Sequence, residues 1–76
     1  MVSGMTDNMT AADIRAIRRA LSLSTTALAE LVGVSRRTVE DWEQGRFRPS
    51  GPARILLSKL MEDHHAEVQQ MAKGTD

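Results

Sequence analysis

Gly33 and Ser35 stand two places apart, a helix stop followed almost at once by a helix start. Glycine ends helices because it enters the left-handed backbone region without a Cβ clash, and serine opens them because its hydroxyl accepts from an N–H that has no partner within the helix. With only Val34 between the two, the flanking segments must form short helices that meet at a sharp turn. The first opens at the N-cap Ser24, carries Leu28, Ala29, Leu31 and Val32 on its apolar side, and lasts about two turns. The second spans about Arg36 to Gln44 and stops at Gly45. A helix-turn-helix over about residues 24–45 follows.

The flanks extend the same grammar. Thr10-Ala11-Ala12-Asp13 has the spacing of a capping box, with Ile14, Ile17 and Leu21 following at helical intervals, so a helix runs from there to about Ala20 or Leu21. Residues 1–9 show no periodicity and read as a disordered lead. Arg46-Phe47-Arg48-Pro49 is a loop, and Ser50-Gly51-Pro52 opens a final helix, since proline is tolerated in a first turn. That helix is expected over about residues 51–72, closing a domain of residues 10–72 and leaving 73–76 as a tail. Without strand-like alternation or internal repeats, the chain reads as all-α.

Seventy-six residues suffice for one domain, and 41% hydrophobic with 26% charged residues is the balance of a folding chain. There is no cysteine, hence no disulfide framework and no thiolate metal site. No apolar run reaches a membrane span, and Met1-Val2-Ser3-Gly4-Met5 lacks the pattern of a signal peptide, so no membrane partner and a cytoplasmic location are expected. His64 and His65 diverge by about 100° on a helix and have no ligand-rich company, so no metal and no cofactor are expected. With neither cysteine nor tyrosine, no nucleophile-base constellation can be drawn, which argues against an enzyme. The net charge of zero hides a gradient: residues 35–59 carry +3 and residues 60–76 carry −3.

The basic segment contains the second helix of the motif, the one that enters the major groove of DNA in this docking mode. At about 100° per residue, Val39 and Trp42 set its inward direction; Arg37 then points about 170° away and Arg36 about 90°. Both arginines lie on the first turn, the part that reaches base edges, and arginine bidentate to guanine is the commonest specific contact. They also stand four residues before Glu40 and Asp41 and could form ion pairs with them. Arginines placed first, however, sit at the positive end of the helix dipole, so local stability does not explain them. Asp41 is a weaker base-contact candidate: it could accept from cytosine, or it could orient Arg37. Thr25 and Ser35 open helices, where free N–H groups attract phosphate; Thr38 joins them as a phosphate-contact candidate, as do Arg46 and Arg48 in the loop.

Val32-Gly33-Val34-Ser35-Arg36-Arg37-Thr38-Val39, then Trp42-Glu43-Gln44-Gly45-Arg46 and Pro49-Ser50-Gly51-Pro52, together resemble the Cro/C1-type, or XRE-like, helix-turn-helix proteins, which include phage repressors and HigA-type antitoxins. The resemblance covers about Ile14 to Met61. It implies a compact four- to five-helix lambda-repressor-like domain with a long C-terminal helix, acting on double-stranded DNA as a transcriptional regulator. It also implies that Arg18 of the first helix pairs with Glu43 and reaches a phosphate.

Leu57, Met61, His64, Val68 and Met71 are spaced four, three, four and three residues apart, an a/d-like stripe on the last helix. Its second half outruns the helices available to cover it, so the stripe is expected to be a homodimer seam rather than an exposed tail. The acidic end of the chain leaves a second possibility, an antitoxin-like module that holds a protein partner.

Overall fold

The computed structural model describes residues 9–73; the expected lead up to residue 8, and residues 74–76, lie outside the described residues. The described elements are α1 (Ala11–Ala20), α2 (Thr25–Val32), α3 (Arg36–Glu43), α4 (Gly51–Asp63) and α5 (His65–Lys73). All regular structure among the described residues is helical, and the fold is an all-α helix-turn-helix domain.

The starts of α1, α2 and α3 follow the hydroxyls. Thr10 Oγ1 accepts from the Asp13 N–H at 3.2 Å while the Asp13 carboxylate accepts from the Thr10 N–H at 3.0 Å, a complete capping box. Ser24 Oγ accepts from the Ala27 N–H and Ser35 Oγ from the Thr38 N–H, at 3.0 and 3.1 Å. Each contact satisfies a donor that the helix itself leaves unpaired. The stops are equally local. Gly33, at φ 88°, ends α2, and the Gly33 and Val34 N–H groups both donate to Ala29 O. Gly45, at φ 78°, ends α3 within a pair of reversed bonds, from the Gly45 N–H to Trp42 O and from the Arg46 N–H to Asp41 O.

The core draws at least one residue from every helix. Ile14 and Ile17 of α1, Leu28 of α2, Val39 of α3 and Leu57 of α4 are fully buried, and Ala16, Ala29, Trp42 and Val68 join them. Met9 belongs to this core as well, in contrast to its expected place in a disordered lead. It precedes the N-cap Thr10 by one residue and Ile14 by five, the positions of a hydrophobic staple, in which an apolar residue before the cap packs over the first turn.

The largest departure lies beyond Met61. The expected single helix over 51–72 is broken at His64, whose backbone (φ −120°, ψ 37°) leaves the helical path, and α5 turns back to pack on α1. Residues 60–68 contain neither glycine nor proline, so nothing local stops the helix. A break forfeits one or two backbone hydrogen bonds, each worth about 1 kcal/mol net, whereas burying a valine contributes about 1.5–3 kcal/mol. Val68, 5% exposed, is the residue that the turn-back buries. The stripe is thereby covered from within: Leu57 and Val68 lie in the chain's own core, Met61 and His64 are half-buried, and of the five only Met71 is exposed. A homodimer seam along the whole stripe is incompatible with this packing.

Candidate nucleic-acid interface

α3 is held by its inner face and its two ends, and this leaves its first turn outward. Val39 and Trp42 anchor it in the core, α1 and α2 flank it, and Ser35 fixes its start. The Ser35 and Thr38 hydroxyls lie 2.9 Å apart, so the cap and the first turn share one polar cluster. Arg36 and Arg37 follow directly, their side chains 66% and 75% exposed. Both bend toward acids one turn on: Arg36 Nε lies 2.9 Å from Glu40 Oε2, and Arg37 Nε 3.7 Å from Asp41 Oδ1. Exposed i,i+4 pairs of this kind are worth a few tenths of a kcal/mol. The Arg36–Glu40 pair is weak enough to open when a stronger acceptor arrives, whereas Asp41 is also approached by a second cation, Arg46.

At the far end of α3 the pairing is of another kind. Glu43 receives Arg18 through two contacts, Nε to Oε2 at 2.7 Å and Nη2 to Oε1 at 3.4 Å, while Arg18 Nη1 also donates to Leu23 O at 3.4 Å. Both side chains are largely shielded from solvent. The fork of the guanidinium is thus committed to the protein's own groups, leaving little of it for a phosphate. Arg15 adds a contact that the linear chain does not announce: its Nη1 donates to Glu43 O at 2.6 Å. A cation there meets both an unpaired carbonyl and the negative end of the α3 dipole. The available hint was its position three residues before Arg18, on the same side of α1.

The loop after α3 extends the cationic surface. Arg46 and Arg48 are exposed, and Arg46 Nη1 lies 3.6 Å from Asp41 Oδ1. Phe47 between them is 65% exposed and does not plug the core. Thr25 and Thr38 are half-buried at the first turns of α2 and α3. The structure therefore brings Arg37, Asp41 and Arg46 into one cluster and Arg18 with Glu43 into another. It separates Met71 from Leu57 and Val68, which are interior. Among the described residues no group of three or more histidines and acids is placed to hold a metal ion, and no helix is long and apolar enough to cross a membrane.

An exposed first turn on a core-anchored second helix is the arrangement on which a helix-turn-helix depends, and residues 14–62 match the helix-turn-helix family model. The chain belongs to the XRE-type helix-turn-helix family, a family of DNA-binding regulators. Two relatives are similar to this XRE-type chain. It is 38% identical over 66 residues to Antitoxin HigA-2 of Vibrio cholerae serotype O1, a match covering 87% of this chain and 62% of the relative. It is 37% identical over 49 residues to Repressor protein C2 of Salmonella phage P22, covering 64% of this chain and 23% of the relative. The XRE-type chain thus spans less than two-thirds of either relative's length. No solved structure matches it.

Proposed function

We propose that the protein is a sequence-specific DNA-binding repressor or autorepressor that binds an inverted repeat as a homodimer. The observation that carries this reading is the exposed first turn of α3, where Arg36 and Arg37 project from a helix whose opposite face is locked in the core. In this reading α3 lies in the major groove, Arg36 exchanges Glu40 for a base edge, and Arg37, with its Nε beside Asp41, turns its terminal Nη groups to another. Thr25, Ser35 and Thr38 approach phosphates beside helix N-termini, Arg46 and Arg48 follow the backbone, and Arg18 contributes chiefly by holding α3 through Glu43. One protomer measures 30 Å along its longest axis, close to the roughly 34 Å that separate half-sites one helical turn apart, so two copies side by side suit such an operator. The pair cannot use Leu57 or Val68; it must meet through surface outside the core.

Footprinting on the DNA upstream of the protein's own gene, followed by titration of the protected site, tests the reading. Arg37→Ala is expected to cost about 1–3 kcal/mol on the preferred site and to flatten its base preference, whereas Arg46→Ala weakens all sequences alike. Equal losses on operator and random DNA for Arg37→Ala would refute the assignment.

The likeness to a protein named an antitoxin favours a second reading, in which the C-terminal region also holds a protein partner and DNA binding serves autoregulation. Charge reversal at the exposed Glu67 of α5 leaves the core intact and should release such a partner while DNA binding persists.

A further inference from the structure

Asp41 occupies an unusual position for an acid on a surface meant for DNA. Its side chain is 15% exposed, yet it lies between two exposed arginines, Arg37 on the first turn of α3 and Arg46 on the loop, at 3.7 and 3.6 Å from the same oxygen, Oδ1. The loop is tied to the same residue a second time, because the Arg46 backbone N–H donates to Asp41 O at 2.9 Å. Glu40, its neighbour, makes only the i,i+4 pair with Arg36 among the ion pairs described and is 36% exposed. A carboxylate open to the groove would repel phosphate; one flanked by two guanidiniums instead presents a net cationic cluster.

We propose that Asp41 is a positioning residue of the reading surface, which sets the approach of Arg37 to a base edge by locking it to Arg46, so that base choice and backbone anchoring are coupled through one carboxylate. This rests on the reading of α3 as the recognition helix and assigns Asp41 an indirect role in place of a base contact. The physical reason is entropic and electrostatic together. An exposed arginine must lose its rotamer freedom to make a bidentate contact, and a side chain already restrained loses less. Removing the acid leaves Arg37 freer to reach phosphates and neighbouring bases, raising sequence-independent attraction while lowering discrimination.

Asp41→Asn and Glu40→Gln each delete one negative charge from adjacent positions of α3, so comparing them separates charge from position. Selection from a randomised duplex pool, then titration of the selected duplex and its single-base variants, gives the discrimination at each base pair. Asp41→Asn is expected to bind random duplex more tightly and to lose about two- to fivefold in discrimination at the base pair that Arg37→Ala relaxes. Glu40→Gln is expected to gain random affinity with discrimination at that base pair kept, and Arg37→Ala combined with Asp41→Asn to discriminate no worse than Arg37→Ala alone. Unchanged discrimination in Asp41→Asn, or equal loss in both charge variants, overturns the proposal. So does relaxation at a different base pair, which would make Asp41 a base reader itself. A second measurement needs no DNA: the NMR order parameters of the Arg37 and Arg46 Nε–H groups should fall in Asp41→Asn and hold in Glu40→Gln, and equal values in the two variants overturn the lock. If the wild type selects no sequence while these order parameters behave as expected, the operator reading fails and the lock stands.

Discussion

Ser22 stands at a position that the backbone would rather give to glycine. With φ 56° it closes α1, its N–H donating to Arg19 O and the Leu23 N–H to Arg18 O, the paired reversed bonds that also close α3 at Gly45. A side chain in the left-handed region costs about 1–2 kcal/mol, partly offset in glycine by the freedom of its unfolded chain. Ser22→Gly is therefore expected to stabilise the protein by about 0.5–1 kcal/mol in denaturant titration, with the DNA site untouched. At Glu43 the sign reverses. Its carboxylate is largely shielded and answers the Arg18 guanidinium, so Glu43→Gln leaves a half-buried cation short of its counter-charge. A loss of about 1–2 kcal/mol is expected, between the value of an exposed pair and that of a fully buried one, read from the shift in the urea midpoint.

At the scale of elements, the local signals in the chain describe helix ends far better than helix neighbours. The Thr10, Ser24 and Ser35 caps and the Gly33 and Gly45 stops operate through hydrogen bonds spanning three to five residues, so spacing alone announces them. The C-terminal region follows a different rule. A periodic stripe shows which side of a helix is apolar but not what covers it, and α1 supplies the cover once the helix breaks at His64. Met9 shows the same limit in miniature, since a lone apolar residue before a cap gives no periodicity to read. If α5 is structural, Val68→Ala should cost about 2 kcal/mol and lower the melting temperature by about 8–16 °C, as for other core truncations in a domain of this size. A melting temperature unchanged within 2 °C would show that α5 contributes nothing to the fold.

Across the whole molecule the net charge is zero, yet the reading surface is cationic because the acids are distributed unevenly. α3 packs on α1 and α2, whereas α5, in the acidic C-terminal segment, packs on α1 and α4, so α1 is the neighbour that the two helices share. DNA binding should therefore depend on salt despite the neutral total. Arg46 and Arg48 from each of two protomers make four phosphate-neutralising cations, and Thr25, Ser35 and Thr38 add contacts without charge. The logarithm of the binding constant should then fall with the logarithm of salt concentration with a slope of about −3 to −4. A slope near zero in fluorescence titrations would leave the loop arginines without their role.

The helix count through residue 63, the turn between α2 and α3, and the outward arginines on the first turn of α3 were all legible in the linear chain, because caps, glycine stops and helical periodicity act over one or two turns. The return of α5 onto α1, the Arg15 bond to Glu43 and the bridging of Arg37 and Arg46 by Asp41 were not. Each joins a helix to a distant helix or to a loop, and such contacts depend on the angle at which elements pack, which no local spacing encodes.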